Sequence, residues 1–414
     1  MSTAATDSAW TDLVWTDLMG RAHVARARTE LAEHGISIRR ADAAAGYDGP
    51  ADQTGRVLAV PDWSSRRRSP WQDDVQVVLA DLRESDGSAS DLCSRSVLRR
   101  VLGTLATEGY QARAAAELEF FLLDTATGGP LYADINQYSI TKGAELEPLV
   151  AMMCDHLATL DVPVEATNPE YAGGQLEVNV EYCEALAAAD RAVLVRYTAR
   201  RVARDHGLDA TFLAKPWTDN AGSGMHVHQS LWREGRNVMH EAGALSELGR
   251  SYVAGLLAHM RGLALLGSHT PNAYHRRADY SFAPTIVCWG ADNRTLAVRA
   301  ITGSASATRV EQRDAAADCN VYLAFAGQFA AGHRGVTSTS VPPEPVTGNA
   351  YERRDLPPLP LTFPEALAEF DRSPLAADVL GGLLSHWRQV MERERQVLIT
   401  SCSDWERARY LAAV

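Results

Sequence analysis

The sequence predicts an α+β protein in two units, a small N-terminal one and a larger one behind it. Three observations carry this. Residues 10–85 hold short β-like runs among Gly, Asp and Pro punctuation. From residue 116 to about 330, strand patterns alternate with helical ones, and several of those strands carry charged faces. A final stretch, 364–414, is mostly helical in pattern.

In chain order, Arg56-Val57-Leu58-Ala59-Val60 and Val75-Gln76-Val77-Val78-Leu79-Ala80 read as strands, and Thr29 to His34 as a short helix. Asp86-Gly87-Ser88-Ala89-Ser90 reads as a linker, which puts the units at 1–90 and 91–414. Residues 92–108 place Leu92, Val97, Val101 and Leu105 on one helical face. The apolar stretch Val253 to Gly267 is broken by His259 and Arg261, so it reads as a buried helix and not a membrane span. Residues 337–360 are rich in Pro, Thr and Ser and read as a loop. Val379, Leu383, Trp387 and Met391 recur every four residues in the tail, with Gly381-Gly382 as a break.

Composition excludes several function classes. Of 40 basic residues only Lys142 and Lys215 are Lys, leaving 38 Arg. A Walker A loop, a pyridoxal Schiff base and a kinase fold all need a placed Lys, and neither context fits a Walker A loop. A formal charge of −12 argues against nucleic-acid binding by bulk charge. The six cysteines form no C-x-x-C pair and suit a reducing cytoplasm. The first ten residues lack the basic and apolar regions of a signal peptide. No membrane or nucleic-acid partner is expected.

Strand side chains alternate faces, so spacing two apart places groups together. Glu117 and Glu119 share a face, as do Gln175, Glu177 and Asn179. His226, His228 and Ser230 share another, and Arg309, Glu311 and Arg313 a fourth. Arg294 and Arg299 fall on opposite sides of an ideal strand, which puts one of them in the turn before it. Each run alone also fits a half-exposed strand with a solvated face. Together they read as a funnel of carboxylates, His and Arg. Carboxylates so gathered repel unless cations lie between them, and oxygen ligands with one His suit Mg²⁺ or Mn²⁺ better than Zn²⁺.

These segments, in this order, resemble type I glutamine synthetase and its relatives over about residues 90–330. The resemblance rests on Glu-Leu-Glu-Phe-Phe-Leu at 117–122, Asn-Pro-Glu-Tyr-Ala-Gly-Gly-Gln-Leu-Glu-Val-Asn at 168–179 and Ala-Lys-Pro at 214–216. It continues in Gly-Ser-Gly-Met-His-Val-His at 222–228, Asn-Ala-Tyr-His-Arg-Arg at 272–277, Asn-Arg-Thr at 293–295 and Arg-Val-Glu-Gln-Arg at 309–313. It implies an N-terminal β-grasp domain before a catalytic domain whose antiparallel strands form a funnel. It further implies a homo-oligomer, a dodecamer of two hexameric rings.

The resemblance also implies roles. Glu119, Glu170 and Glu177 match ligands of one metal, and Glu117, His226 and Glu311 those of a second; two or three Mg²⁺ (or Mn²⁺) ions per site are implied. Arg276 matches the clamp on the substrate α-carboxylate, and Arg313 the group holding the γ-carboxylate. Gly222 matches a backbone contact to the amino acid. Arg294, Arg299 and Arg309 match phosphate-facing arginines; with Arg313 and Glu170 the first two count as catalytic. His228, Ser230 and Tyr182 match ATP contacts. The substrates implied are glutamate, ATP and an amine.

The chain departs from glutamine synthetase where ammonium is handled. Phe282 stands where a flap Glu is expected, two residues before Pro284. Ala41 to Gly55 is short, with Asp48 the one weak candidate for the acidic latch. Ser306 replaces a phosphate-side Lys, and Asn220 is displaced one step from the position before Gly222. Tyr138 aligns loosely with an acceptor-side Tyr. Tyr351 lies near a regulatory Tyr but lacks its motif, so modification there is not expected. Losing acids beside the acceptor while keeping the metal and phosphate groups favours a larger amine, whose apolar body can be buried at about 25 cal/mol per Å². The expectation is therefore an ATP-dependent carbon–nitrogen ligase making a γ-glutamyl amide. Ordinary glutamine synthesis and a catalytically silent relative are the alternatives.

Overall fold

The computed structural model describes residues 8–45 and 55–412, so Asp48 lies outside the described residues. The N-terminal sheet has Trp10–Thr16 and Val75–Arg83 paired in parallel at its centre. Ala22–Arg28 flanks the first, and Arg56–Pro61 followed by Ile36–Arg39 flanks the second, all antiparallel. Arg67–Arg68 adds a short pairing to Val75–Arg83. This mixed sheet with a parallel central pair fits the β-grasp expectation. Val75–Arg83 is buried along all but its last residue, as a strand covered on both faces must be.

The hairpin Trp10–Arg28 was not read from sequence. Its second strand, Ala22–Arg28, alternates exposed and half-buried positions and offers only Val24 as a large aliphatic residue, so its pattern is that of a loop. Gly20 makes the turn possible, with φ +75°, and it also touches the chain beyond the first sheet. A Cβ there would come 2.7 Å from the Asn320 Cα. Asn320 caps the helix Val321–Thr337 and donates its amide to the Leu18 carbonyl at 3.0 Å.

The second sheet runs in the order Trp289–Ala291, Val298–Ile301, Arg309–Gln312, Met225–Arg233, Gln111–Asp124, Gln175–Val180, Val164–Pro169. Only its first pair is parallel. The long strand Gln111–Asp124 also carries Cys183–Glu184 and Leu208–Thr211 along its length. The helices Ser94–Thr107, Ala185–Asp205, Glu247–Gly267 and Val321–Thr337 cover the sheet. Val253 to Gly267 is the buried helix expected, and it approaches its neighbour closely because Gly255 lies against the Ala331 carbonyl, where any Cβ would overlap. Arg294 sits in the turn before Val298–Ile301, and Arg299 within it. In the tail, Val379, Leu383, Trp387 and Met391 are all buried, and Gly381 at φ +55° supplies the break. One apolar core runs from the first sheet to the second, from Leu13 and Leu82 by way of Leu98 to Phe120.

A buried cation fastens the units. Arg95, 3% exposed, reaches Asp62, Asp81 and Asp190, each at 2.8 Å. Asp62 and Asp81 belong to the N-terminal unit, whereas Asp190 lies on Ala185–Asp205 and also accepts from the Tyr322 hydroxyl at 2.7 Å. Burial works to raise the Asp62 pKa, but Ser64, Arg95 and Arg99 outweigh it and hold the carboxyl well below its ordinary value.

Removing Arg95 leaves buried carboxylates uncompensated, so Arg95→Ala should cost about 3–5 kcal/mol, against under about 1 kcal/mol for the half-exposed Arg99→Ala. Thermal unfolding of both variants checks the ranking, and equal losses would refute it. Because the Asp62 pKa is depressed, its contribution is present above about pH 4 and is lost as pH falls. The wild-type advantage over Arg95→Ala should therefore shrink in acid.

Candidate active site

Register in the second sheet assembles the charged row. Glu117 sits opposite His226 on one side and Asn179 on the other. Glu119 sits opposite Glu177. His228 sits opposite Glu311, which in turn faces Arg299. Because side chains two apart share a face, these pairings bring Glu117, Glu119, Glu177, His226, His228 and Glu311 to one side of the sheet.

The contacts are close. His226 Nδ1 lies 2.6 Å from a Glu117 oxygen and 3.6 Å from a Glu311 oxygen. His228 Nε2 is 3.4 Å from the other Glu117 oxygen. Glu311 is fully buried and accepts from Arg313 at 2.5 Å and Arg299 at 2.9 Å. Glu170 follows the strand Val164–Pro169 and accepts from the Asn168 amide at 2.9 Å and from the Tyr171 N–H at 3.1 Å. Glu119 accepts the Gly224 N–H at 2.6 Å.

This crowding splits the acids into two kinds. Burial would raise Glu117, but His226 and His228 hold it well below the usual carboxylate range. Burial would also raise Glu311, but Arg313 and His226 bring it to about 2. Glu177 has no such cation, and burial with the charges of Glu117 and Glu170 pushes it up to about 9. Glu170 is raised by burial and by Glu119.

Among the described residues, two groups offer ligand atoms within 4.8 Å of one another: Glu117 with Glu177 and His226, and Glu117 with His228 and Glu311. The donor set, carboxylate oxygens with one His in each group, fits a hard divalent cation. The expected trio Glu117, His226 and Glu311 is brought together by the short contacts above. Glu119 and Glu170 stand outside the tighter spacing, although Glu119 is the register partner of Glu177.

Arg276 is 4% exposed and donates to the Ala315 carbonyl at 3.1 Å. Burial lowers its pKa. Gly222 and Gly224 make its bed: a Cβ at either would come within 2.7 Å of Arg276 side-chain atoms. Arg313 is buried beside Glu311, and its Nε is without a hydrogen-bond partner. Neither Lys is free for the site, since Lys142 pairs with Glu145 and Lys215 donates to the Asn220 carbonyl.

A cavity of about 570 Å³ opens beside this row. Tyr182, His228, Ser230, Arg294, Arg299 and Arg309, the six residues expected at ATP, all line it. Arg309 Nε donates to His228 Nδ1 at 3.1 Å. Arg299 is shared between Glu311 and Asp292. Sequence reading missed Arg113, which also lines the cavity and whose guanidinium lies 4.3 Å from the Trp232 ring centroid. Extending the period-two face of Glu117 back two steps finds it.

Phe282 is 56% exposed and its ring lies 5.0 Å from that of Tyr171, the residue after Glu170. Phe282, Tyr280 and Tyr138 all have positive φ, at 66°, 61° and 52°. Such backbone is costly for a residue with a Cβ and collects at functional sites. Tyr138 hydrogen-bonds Arg294. Tyr351 is buried, with its hydroxyl on the Ala283 carbonyl at 3.0 Å.

Residues 91–410 match the family model of the glutamine synthetase catalytic domain. The chain is 33% identical over 372 residues to the glutamate–isopropylamine ligase of a Pseudomonas species, covering 86% of this chain and 81% of that one. It is 35% identical over 360 residues to the γ-glutamylethanolamide synthetase GlnA4 of Streptomyces coelicolor, covering 84% and 77%. The glutamine synthetase of Thermotoga maritima is 33% identical over 352 residues, covering 81% and 80%. Among solved structures, a GmaS/ADP complex superposes with a TM-score of 0.88 at 25% identity, covering 98% of this chain and 97% of that one. The acid row, the arginine-lined cavity and these likenesses agree: the chain belongs to the glutamine synthetase family and is an enzyme of the ligase class.

Proposed function

We propose that the enzyme joins the γ-carboxylate of glutamate to an organic amine at the expense of ATP, releasing ADP and phosphate. The observation that carries the choice of amine over ammonium is Phe282, an exposed ring packed on Tyr171 beside Glu170, where the family flap would carry an acid. Ammonium needs carboxylates to gather it, whereas an alkyl or aryl body gains from apolar contact. Relatives named for isopropylamine and ethanolamide ligation support the same direction.

In this reading Arg276 binds the α-carboxylate and Arg313 the γ-carboxylate, each through a guanidinium that stays charged. Gly222 offers backbone to the amino acid. Tyr182, His228 and Ser230 hold ATP, and Arg294, Arg299 and Arg309 face its phosphates. Glu117, Glu119, Glu170, Glu177, His226 and Glu311 would hold two or three Mg²⁺ or Mn²⁺ ions, which when bound supply charge neutralisation around the phosphates. The γ-carboxylate oxygen attacks the terminal phosphorus and ADP leaves. The amine nitrogen then attacks the acyl carbon, phosphate leaves, and Glu170 accepts the amine proton.

The assembly proposed is a homo-oligomer, with two hexameric rings as the family expectation. Val397, Ile399 and Trp405 are exposed on the last two helices, where a second copy would cover apolar side chains. No helix among the described residues is long and apolar enough to cross a membrane. Six unpaired thiols support a cytoplasmic location.

ADP release with glutamate, Mg²⁺ and a panel of primary amines tests the reading. At least one organic amine should turn over faster than ammonium; ammonium outpacing them all would overturn it in favour of glutamine synthesis. Phe282→Glu should move the ammonium-to-amine ratio of kcat/KM upward by about tenfold or more. An unchanged ratio would remove Phe282 from the acceptor pocket.

Metal binding must also expel protons from the acid row. Glu177 holds its proton up to about pH 9, so Mg²⁺ affinity should climb between pH 7 and 9 and proton release should accompany binding. Calorimetry in two buffers of different ionisation enthalpy measures this. Heats independent of the buffer would contradict it.

A further inference from the structure

A second cavity, of about 470 Å³, shares no lining residue with the one beside the acid row. One wall is the later half of the helix Ala185–Asp205, which presents Arg196, Tyr197, Arg200, Arg201 and Arg204. Gly20 and Ala22 of the N-terminal hairpin lie among its lining residues. Asp205 is the one carboxylate residue lining it, against four arginines.

Only Arg204 has an acidic partner, Asp209 at 3.2 Å. Arg196 is 6% exposed, donates to the Cys319 carbonyl at 2.7 Å, and its buried Nε has no hydrogen-bond partner. Arg201 donates to the Tyr197 hydroxyl at 3.1 Å, with its guanidinium 4.2 Å from the Trp71 ring centroid. Arg200 is exposed, with its guanidinium 5.3 Å from the Phe212 ring centroid. Rings beside Arg200 and Arg201 hold those guanidinium groups in place, whereas Arg196 turns its terminal nitrogens to the Cys319 carbonyl and to the sulfurs of Cys319 and Met225 and keeps only Nε for another partner.

A helix end does favour cations, by about 0.3–1 kcal/mol in the last turn. That accounts for Arg204. It does not account for Arg196, buried and more than two turns from the end, or for four arginines gathered round one cavity with a single carboxylate residue among them, in a protein whose net charge is −12. Such a cluster is stable to the extent that something negative joins it, and the cavity has the volume for a metabolite-sized group.

We propose that this cavity binds a small multivalent oxyanion, either a phosphate group or a pair of closely spaced carboxylates, held by Arg196, Arg200 and Arg201 with the Tyr197 hydroxyl. Guanidinium edges bind both chemistries bidentately. The anion would bridge the N-terminal hairpin and the helix Ala185–Asp205, tying the two together away from the reacting atoms.

Calorimetric titration of the metal-free full-length enzyme with inorganic phosphate, and separately with succinate, distinguishes the two sources. Saturable binding of phosphate alone assigns a phosphate group, and of succinate alone a carboxylate pair. In Arg200→Gln and in Arg201→Gln that binding should weaken by at least about tenfold, with kcat and KM within about twofold of the parent. Without added anion, both variants should melt at or above the parent temperature, because a repulsive charge has been removed. The proposal is overturned by no saturable binding of either anion, by variants that bind as the parent does, or by variants that melt lower in anion-free buffer.

Discussion

Everything at the acid row depends on the register of one strand, Gln111–Asp124. It is paired with neighbours on both sides, so a slip of one residue would send Glu117 and Glu119 to the opposite face and break the pairing of Glu117 with His226 and of Glu119 with Glu177. The alternate positions lock that register. Leu118, Phe120 and Leu122 are fully buried in the core behind the sheet, so apolar burial at every second residue fixes where the charges must go.

Fixing the charges creates an electrostatic cost that the surrounding groups divide unequally. Glu117 and Glu311 are compensated by His226, His228, Arg299 and Arg313. Glu170 and Glu177 face mainly other acids and Asn amides, and their carboxyls are raised instead. A fixed scaffold thus favours the ionised form in one half of the row and works against it in the other. On the proposed reading, these carboxylates would hold divalent cations, whose charge would supply what the second half lacks.

Much of this was legible because strands write function with a period of two. Glu117/Glu119, His226/His228 and Arg309/Glu311/Arg313 each announce a shared face without any knowledge of the fold. What the pattern leaves out is which strands become neighbours. The contacts of Glu311 with Arg299 and of His226 with Glu117 span 12 and 109 residues, and only the sheet order supplies them. The hairpin Trp10–Arg28 escaped for a different reason. Thr11 and Asp12 are buried through hydrogen bonds and ion pairs to Gln76 and Arg26, so its polar sequence imitates a loop. The same holds for Arg95, whose place in a helical pattern gives no sign that three carboxylates converge on it.

The near absence of Lys has a structural counterpart. Arg95 contacts three carboxylates at once, Arg299 divides its fork between Glu311 and Asp292, and Arg309 meets His228 and a carbonyl with separate nitrogens. A single ammonium could not span partners lying in different directions, and when buried it would more readily surrender its proton. Arg113 and Arg201 use another property, lying over Trp232 and Trp71. The bias toward Arg in the composition is compatible with a coding preference. At these positions the planar, permanently charged fork is what the geometry uses, so Arg→Lys at Arg95 or Arg299 is a change of shape and not a conservative exchange.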